Sequence, residues 1–383
     1  TLRHQFDTVY SQYLLDCSRD MSKKRPRDNS KSSESEPAEQ QVEDQDGGQW
    51  TQAQAPSAEQ AKCPYLDTVQ RAVLDFDMEK VCSVNLSDMH VYCCLVCGKF
   101  FQGRGKSTPA YTHSVHAGHF VFLHLQEGRF FCLPDNYEIV DSSLGDIKSC
   151  LSPEFSAQDM SLLDSNKDLA RDVHGSTYLP GFRGINNLCQ TDYLNSIVHA
   201  LSHVRPLRDF LLQPSRYSSS RSILVQHLGA FMRRAWSAHN FKSHASPQEL
   251  VHAISEVSNK KFASGTSAEC IDFLNWLLGE LHRGLLGRHP GESAPAASSK
   301  APESTIITDC FQGVIEVVEL KRKADAGERG QWSESVKKVN FKHLSLDIPP
   351  PPLFMDGEDG KVIPQVPIFE LLSKFDGTKW TET

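Results

Sequence analysis

Apolar and polar positions along this chain recur with two different periods, separated by stretches with none. Leu194, Ile197, Ala200, Leu201 and Val204 fall three or four residues apart, which predicts a helix with one apolar face over 193–204. Leu224, Leu228, Phe231, Met232 and Ala235 repeat that stripe over 223–236, and a third amphipathic helix is predicted over 270–286. Ser246-Pro247 reads as the N-cap and first position of another helix, because a seryl oxygen accepts a free N–H there and proline lacks one. Period two takes over at 120–125 and 129–132, which flank Glu127-Gly128 and predict a β-hairpin. Residues 305–320 and 341–348 are also read as strands, and the prolines at 349–352 as extended chain.

The stretches without a period divide the chain. Residues 1–62 form a predicted disordered tail, since the polar run over 21–62 has too few aliphatic side chains to offset its ordering entropy. Cys, His and aromatic residues then concentrate in a small module placed at 63–157, followed by a connector at 158–178. A larger domain is expected over 179–383, helices first and strands later, with a Gly-, Pro-, Ala- and Ser-rich flexible insert at 287–303. The expected fold class is α+β.

Composition changes this picture little. A net charge of −8 gives no global reason to expect nucleic acid or a membrane as partner, and no apolar run is long enough to span a bilayer. The basic run Lys23-Lys24-Arg25-Pro26-Arg27 is a candidate nuclear import signal within the tail. Eleven cysteines, clustered and odd in number, point to thiols and metal rather than to a disulfide framework.

The candidate metal ligands are Cys94, Cys97, His113 and His119, spaced Cys-x2-Cys-x15-His-x5-His. A Cys-x2-Cys knuckle offers two thiolates from one turn, Gly98 supplies the positive φ that such knuckles use, and two histidines complete the four ligands of a structural zinc. Cys63, Cys82, Cys93, His90, His116 and Cys132 are the nearby alternatives, with Cys93 expected as a buried apolar thiol. The Cys-to-His spacing exceeds the ~12 residues of a DNA-reading finger, so base recognition by this module is not expected.

The words Val91-Tyr92-Cys93-Cys94-Leu95-Val96-Cys97-Gly98, His113, His119-Phe120-Val121-Phe122 and Phe131-Cys132-Leu133-Pro134-Asp135-Asn136-Tyr137 resemble the zinc-finger domain of ubiquitin-specific proteases. Members that bind the free ubiquitin tail carry an arginine just after the Cys-Gly pair. Lys99 stands there and lacks the bidentate fork, so the resemblance implies weak ubiquitin binding at most.

The segment from Gly184 to Ser196, Gly-Ile-Asn-Asn-Leu-Cys-Gln-Thr-Asp-Tyr-Leu-Asn-Ser, resembles the cysteine box of the same proteases. The resemblance puts Asn187 at the oxyanion-donor position and Asp192 at the nucleophile position. A carboxylate is a poor nucleophile toward an amide and leaves a partner histidine nothing to deprotonate, so no catalytic residue is expected. Asp192 is instead read as a helix cap. Cys189, where the family has glycine, is the alternative thiol, expected to point away from the helix start.

Glu269-Cys270-Ile271-Asp272-Phe273-Leu274 resembles an eroded second family box, and Ile307-Thr308-Asp309-Cys310-Phe311-Gln312-Gly313 and 341–349 resemble later family strands. The histidine box is expected beyond the C-terminus. With the Leu133–Glu138 words and Ile363-Pro364-Gln365-Val366-Pro367, the chain is similar to the protease-like splicing factors of the spliceosomal tri-snRNP. That resemblance implies a papain-like core, a helical thumb followed by partial β fingers and palm. It also implies one structural zinc, tri-snRNP proteins as partners, a nuclear location, and a scaffolding role in pre-mRNA splicing. A cysteine-type deubiquitinase or a non-catalytic ubiquitin reader is the alternative.

Overall fold

The structure is a computed structural model of the chain. It describes residues 63–288, 304–322, 332–348 and 366–377, so the tail and its basic run, nearly all of the 287–303 insert and the prolines at 349–352 lie outside the described residues. The chain divides into two compact units. Among the described residues, the first holds 63–154, Asp164–Asn195 and Arg234–Ser267; the second holds Phe155–Leu163, Ser196–Arg233 and those from Ala268 to 377.

The first unit is organised by a five-stranded antiparallel sheet. Its strands are β1 (Val91–Cys94), β2 (Phe100–Gln102), β3 (Val121–His124), β4 (Arg129–Cys132) and β5 (Tyr137–Ile139), in the order β2-β1-β3-β4-β5. Helix α1 (Pro109–Ala117) lies between β2 and β3, with Pro109 in its first turn and Gly118 closing it at φ +67°. The predicted hairpin is present as β3 and β4, in register from Val121↔Cys132 to His124↔Arg129.

Both sheet faces are apolar and covered. Val91, Cys93, Val121, Leu123, Phe130 and Cys132 pack into one cluster, together with Leu74, Phe76, Ile147 and Phe241. Tyr92, Cys94, Phe101, Phe122, Phe131 and Leu133 form the other, against Ala110 of α1. The alternation along β1 thus assigns Cys93 and Cys94 to opposite faces, and Cys93 is the buried apolar thiol expected from the sequence.

Short helices α2 (Gly145–Leu151) and α3 (Ala157–Leu162) follow, then a two-stranded ribbon of β6 (Ala170–Arg171) and β7 (Thr177–Tyr178). The connector is therefore partly strand. Helices α4 (Asp192–Ser202), α5 (Arg205–Leu211), α6 (Ile223–Trp236), α7 (Gln248–Val257) and α8 (Cys270–Leu285) come next, and the three predicted from apolar stripes are α4, α6 and α8.

Three expectations are corrected. The strand read over 305–320 is a helix, α9 (Ile306–Phe311), followed by strand β8 (Gly313–Arg322). Thr305 and Thr308 cap α9 reciprocally, and that cap overrides the β-branched Ile306-Ile307-Thr308 run. The strand read over 341–348 ends at Phe341, because β9 (Trp332–Phe341) pairs with β8 from Gly313↔Phe341 to Arg322↔Trp332. Pro247, not Ser246, is the N-cap of α7, and no side chain caps that helix. A last short helix, α10 (Ile368–Leu372), ends the described chain.

Candidate zinc centre and cysteine-box turn

The four predicted ligands converge. One donor atom from each of Cys94, Cys97, His113 and His119 lies within 4.8 Å of the others. Cys94 Sγ is 3.5 Å from His119 Nδ1, Cys97 Sγ is 3.4 Å from His113 Nε2, and the two histidine nitrogens are 3.1 Å apart. A tetrahedral zinc with Zn–S of about 2.3 Å and Zn–N of about 2.05 Å requires S···N edges of about 3.6 Å and an N···N edge of about 3.3 Å. The donor set therefore fits zinc in both chemistry and size.

The local fold explains the convergence. Cys94 ends β1, and the chain turns back at once, with Gly98 N–H donating to Cys94 O (2.8 Å) and Cys94 N–H to Lys99 O (2.9 Å). Gly98 sits at φ +74°, and a Cβ there would lie 2.3 Å from the Val73 carbonyl oxygen, so both conformation and space require glycine. His113 rides on α1 with its ring stacked 4.2 Å from Phe101, and His119 follows immediately after the Gly118 stop. The Cys94 thiol donates to Cys97, which holds Cys97 down at about 4 and pushes Cys94 up. One thiolate is thus already favoured before any metal adds its charge.

The alternatives lie elsewhere. Cys63 and Cys132 belong to the opposite apolar cluster with Cys93. Cys82 is buried, and its sulfur accepts the Val84 N–H at 3.5 Å. His90 and His116 do not enter the cluster of four.

The cysteine-box segment makes a hydrogen-bonded turn at the start of α4. Asn187 Oδ1 accepts the Thr191 N–H (2.8 Å) and the Thr191 hydroxyl (3.2 Å), while Thr191 Oγ1 accepts the Leu188 N–H (2.9 Å). The backbone donor fixes the orientation of the Asn187 amide, so its NH₂ end is the side available to a ligand. Asn195 Nδ2 reaches back to Asn186 O (3.0 Å). The turn is also tied to 264–265 through Ser264 Oγ to Leu188 O and Gly265 N–H to Cys189 O, both 2.6 Å.

One detail differs from expectation. Asp192 is the first residue inside α4 rather than its cap; Thr191 stands before it, and the exposed Asp192 carboxylate lies in the first turn, where the helix dipole favours it. Cys189 (φ +54°) and Gln190 (φ +58°) are both left-handed, a conformation that glycine adopts without strain and other residues do not. Cys189 is half-buried within that turn, before the helix begins.

A set of charged residues that no local sequence signal reveals lies in the same unit. Arg234 is buried and contacts Asp77 Oδ1 (3.0 Å) and Glu249 Oε2 (3.1 Å); Glu249 also accepts from Lys80 (2.6 Å). Asp75 pairs with Lys242. Buried Arg183 donates instead to three carbonyls, those of Arg234 (2.9 Å), Lys242 (2.7 Å) and His244 (2.5 Å). The partners stand up to 169 residues apart, beyond the reach of spacing arguments.

Residues 80–144, which hold all four Cys and His donors, match the zinc finger found in ubiquitin hydrolases and other proteins. Residues 183–355, from Arg183 through the box, match the ubiquitin carboxyl-terminal hydrolase family. The chain is 42% identical over 331 residues to ubiquitin carboxyl-terminal hydrolase 39 of Homo sapiens, an alignment covering 82% of this chain and 57% of that protein. The chain belongs to the ubiquitin carboxyl-terminal hydrolase family. Within it, the probable mRNA-splicing protein ubp10 of Schizosaccharomyces pombe is 38% identical over 324 residues, covering 83% of this chain and 62% of that protein. This family member therefore spans about 57% to 62% of the length of these curated relatives. Among solved structures it resembles the crystal structure of an essential yeast splicing factor, with a TM-score of 0.63 and 29% identity over 81% of this chain and 71% of that one. The fold is the mixed α+β arrangement of that splicing factor, with a zinc-finger domain ahead of a hydrolase-type domain.

Proposed function

We propose that this chain is a non-catalytic, ubiquitin-protease-like scaffold that supports tri-snRNP assembly or stability in pre-mRNA splicing. It acts in the nucleus and carries one structural zinc on Cys94, Cys97, His113 and His119. Residues 63–157 and 179–383 serve as its zinc module and protease-like core. The observation that carries the reading is Asp192 in the first turn of α4, behind an oxyanion-type frame in which Asn187 and Thr191 keep their hydrogen bonds. A thiol at that position gains nucleophilicity from the helix dipole. The same dipole makes a carboxylate more stable and less reactive. A histidine base would find no proton to remove from it. Cys189 does not take over, because it lies in the turn before the helix rather than at its first position. The splicing names of the relatives supply the process.

Affinity purification of the natural full-length protein from nuclei, read by mass spectrometry, tests this. Recovery of tri-snRNP proteins is the expected result, and recovery of ubiquitin-chain or proteasome partners without them would refute it. A ubiquitin probe with an electrophilic C-terminus should leave Cys189 unlabelled; labelling there would restore the deubiquitinase reading.

A further inference from the structure

A small cavity in the first unit is lined by Leu74, Phe76, Cys150 and Phe241 on its apolar side, and by Asp75, Asp77, Arg183, Arg234, Asn240 and Lys242 on its polar side. Its volume is about 20 Å³, room for one water-sized particle, and it opens partly to solvent. Arg183 and Arg234 are 4% and 5% exposed, and the Nε–H of each donates to no protein acceptor. Arg234 Nε is 3.0 Å from Asp77 Oδ1, but its N–H does not aim at that oxygen.

Charge decides what belongs there. The lining carries three cations, Arg183, Arg234 and Lys242, against two carboxylates, Asp75 and Asp77. The adjacent Lys80–Glu249 pair adds one of each sign and leaves the excess at one positive charge. Both carboxylates are already engaged. Asp75 accepts the Asp77 N–H (3.1 Å) and Lys242; Asp77 accepts the Ser246 N–H (3.0 Å) and neighbours Arg234. Among the described residues no carboxylate forms an ion pair with Arg183, whose other donors meet only carbonyl oxygens and whose flat face covers the Tyr178 ring at 5.3 Å. Cys150 does not supply the missing charge, since burial pushes its thiol up to about 11 and keeps it neutral near pH 7. Asp77 acts on Arg183 through space without pairing with it, so the buried guanidinium is only partly compensated, and a water would satisfy its N–H without neutralising it.

We propose that this cavity is a binding site for one small monovalent anion, chloride in size and charge, held by the Nε–H groups of Arg183 and Arg234. The anion completes the charged cluster that joins the Leu74–Lys80 strap to the segments around Arg183 and 234–249.

Crystals of the chain soaked in sodium bromide, with data collected at the bromine edge, test the assignment directly. An anomalous peak within about 3.5 Å of Arg183 Nε is expected. An ordered water without anomalous signal, or no peak, would overturn it. In solution, replacing gluconate by chloride at constant ionic strength should raise Tm by about 3 °C over a tenfold excess above Kd. Arg183→Met should abolish that response, and an equal chloride response in both proteins would mark a general salt effect and sink the proposal. If Arg183→Met does not fold, the bromide map alone decides.

Discussion

The zinc centre and the cysteine-box turn lie in one compact unit, and they depend on their residues differently. At the zinc centre the knuckle, the α1 histidine and His119 bring one donor atom each to within 4.8 Å of the others, and the ligand side chains are what a metal would cross-link. At the box, the frame is built by hydrogen bonds among Asn186, Asn187, Leu188, Thr191 and Asn195. Loss of a ligand is expected to cost the first site its fold, whereas a change at position 192 is expected to leave the fold of the second in place.

The sharpest way to break this comparison is to remove the metal. Cys97→Ser, or a strong chelator, should release one zinc per chain and unfold the sheet of β1 to β5. Structural zinc in small fingers contributes about 10 kcal/mol or more of folding free energy, so the near-ultraviolet dichroism of the module should collapse. Zinc content by plasma mass spectrometry and the melting curve check both halves. A zinc-free variant with an unchanged melt would show that the apolar clusters suffice and that the two sites are alike.

The next largest effect is expected at the charged cluster. Arg234→Met removes the cation between Asp77 and Glu249, both nearly buried, and leaves Glu249 to Lys80 and Asp77 to the Ser246 N–H. Removing one partner of such a buried pair costs about 3–5 kcal/mol. The triple variant that adds Asp77→Asn and Glu249→Gln to Arg234→Met should cost less than the single change, which urea unfolding of the single and triple variants would read.

These residues also mark how far the sequence is legible. The zinc ligands lie in two short words, and a metal's demand for few donors at fixed spacing is visible in them. Helices α4, α6 and α8 are legible because their apolar stripes are long enough to outvote local accidents. Helix α9 is six residues long, and its β-branched run outweighs the Thr305–Thr308 cap when read without structure. The charged cluster is illegible in principle: Lys80 and Glu249 carry no mark of each other until the chain folds.

Asn187→Ala should cost about 1–3 kcal/mol, because it leaves the Thr191 N–H and hydroxyl without their shared acceptor at a buried position. The zinc content should not change. A pH series separates a further contribution: burial lowers the pKa of His124, whose Nδ1 accepts the Glu127 N–H, so the folded state favours the neutral ring. The unfolded chain binds that proton more readily, so this contribution is intact above pH about 6.5 and is lost as the pH falls below it. His124→Gln should flatten that part of the stability–pH curve.

The smallest expected effect tests the box from the other side. Cys189 and Gln190 hold left-handed φ values of +54° and +58°, and each such non-glycine residue costs on the order of 1 kcal/mol. Cys189→Gly removes that strain but frees the unfolded chain, so the net gain should be a few tenths to about 1 kcal/mol, read as a higher urea midpoint at constant slope. Cys189 contributes its carbonyl to Gly265, and glycine offers the same carbonyl. A loss of stability instead would mean that the Cys189 side chain packs productively in the turn. The box would then resemble the zinc centre, where a cysteine side chain holds the structure together.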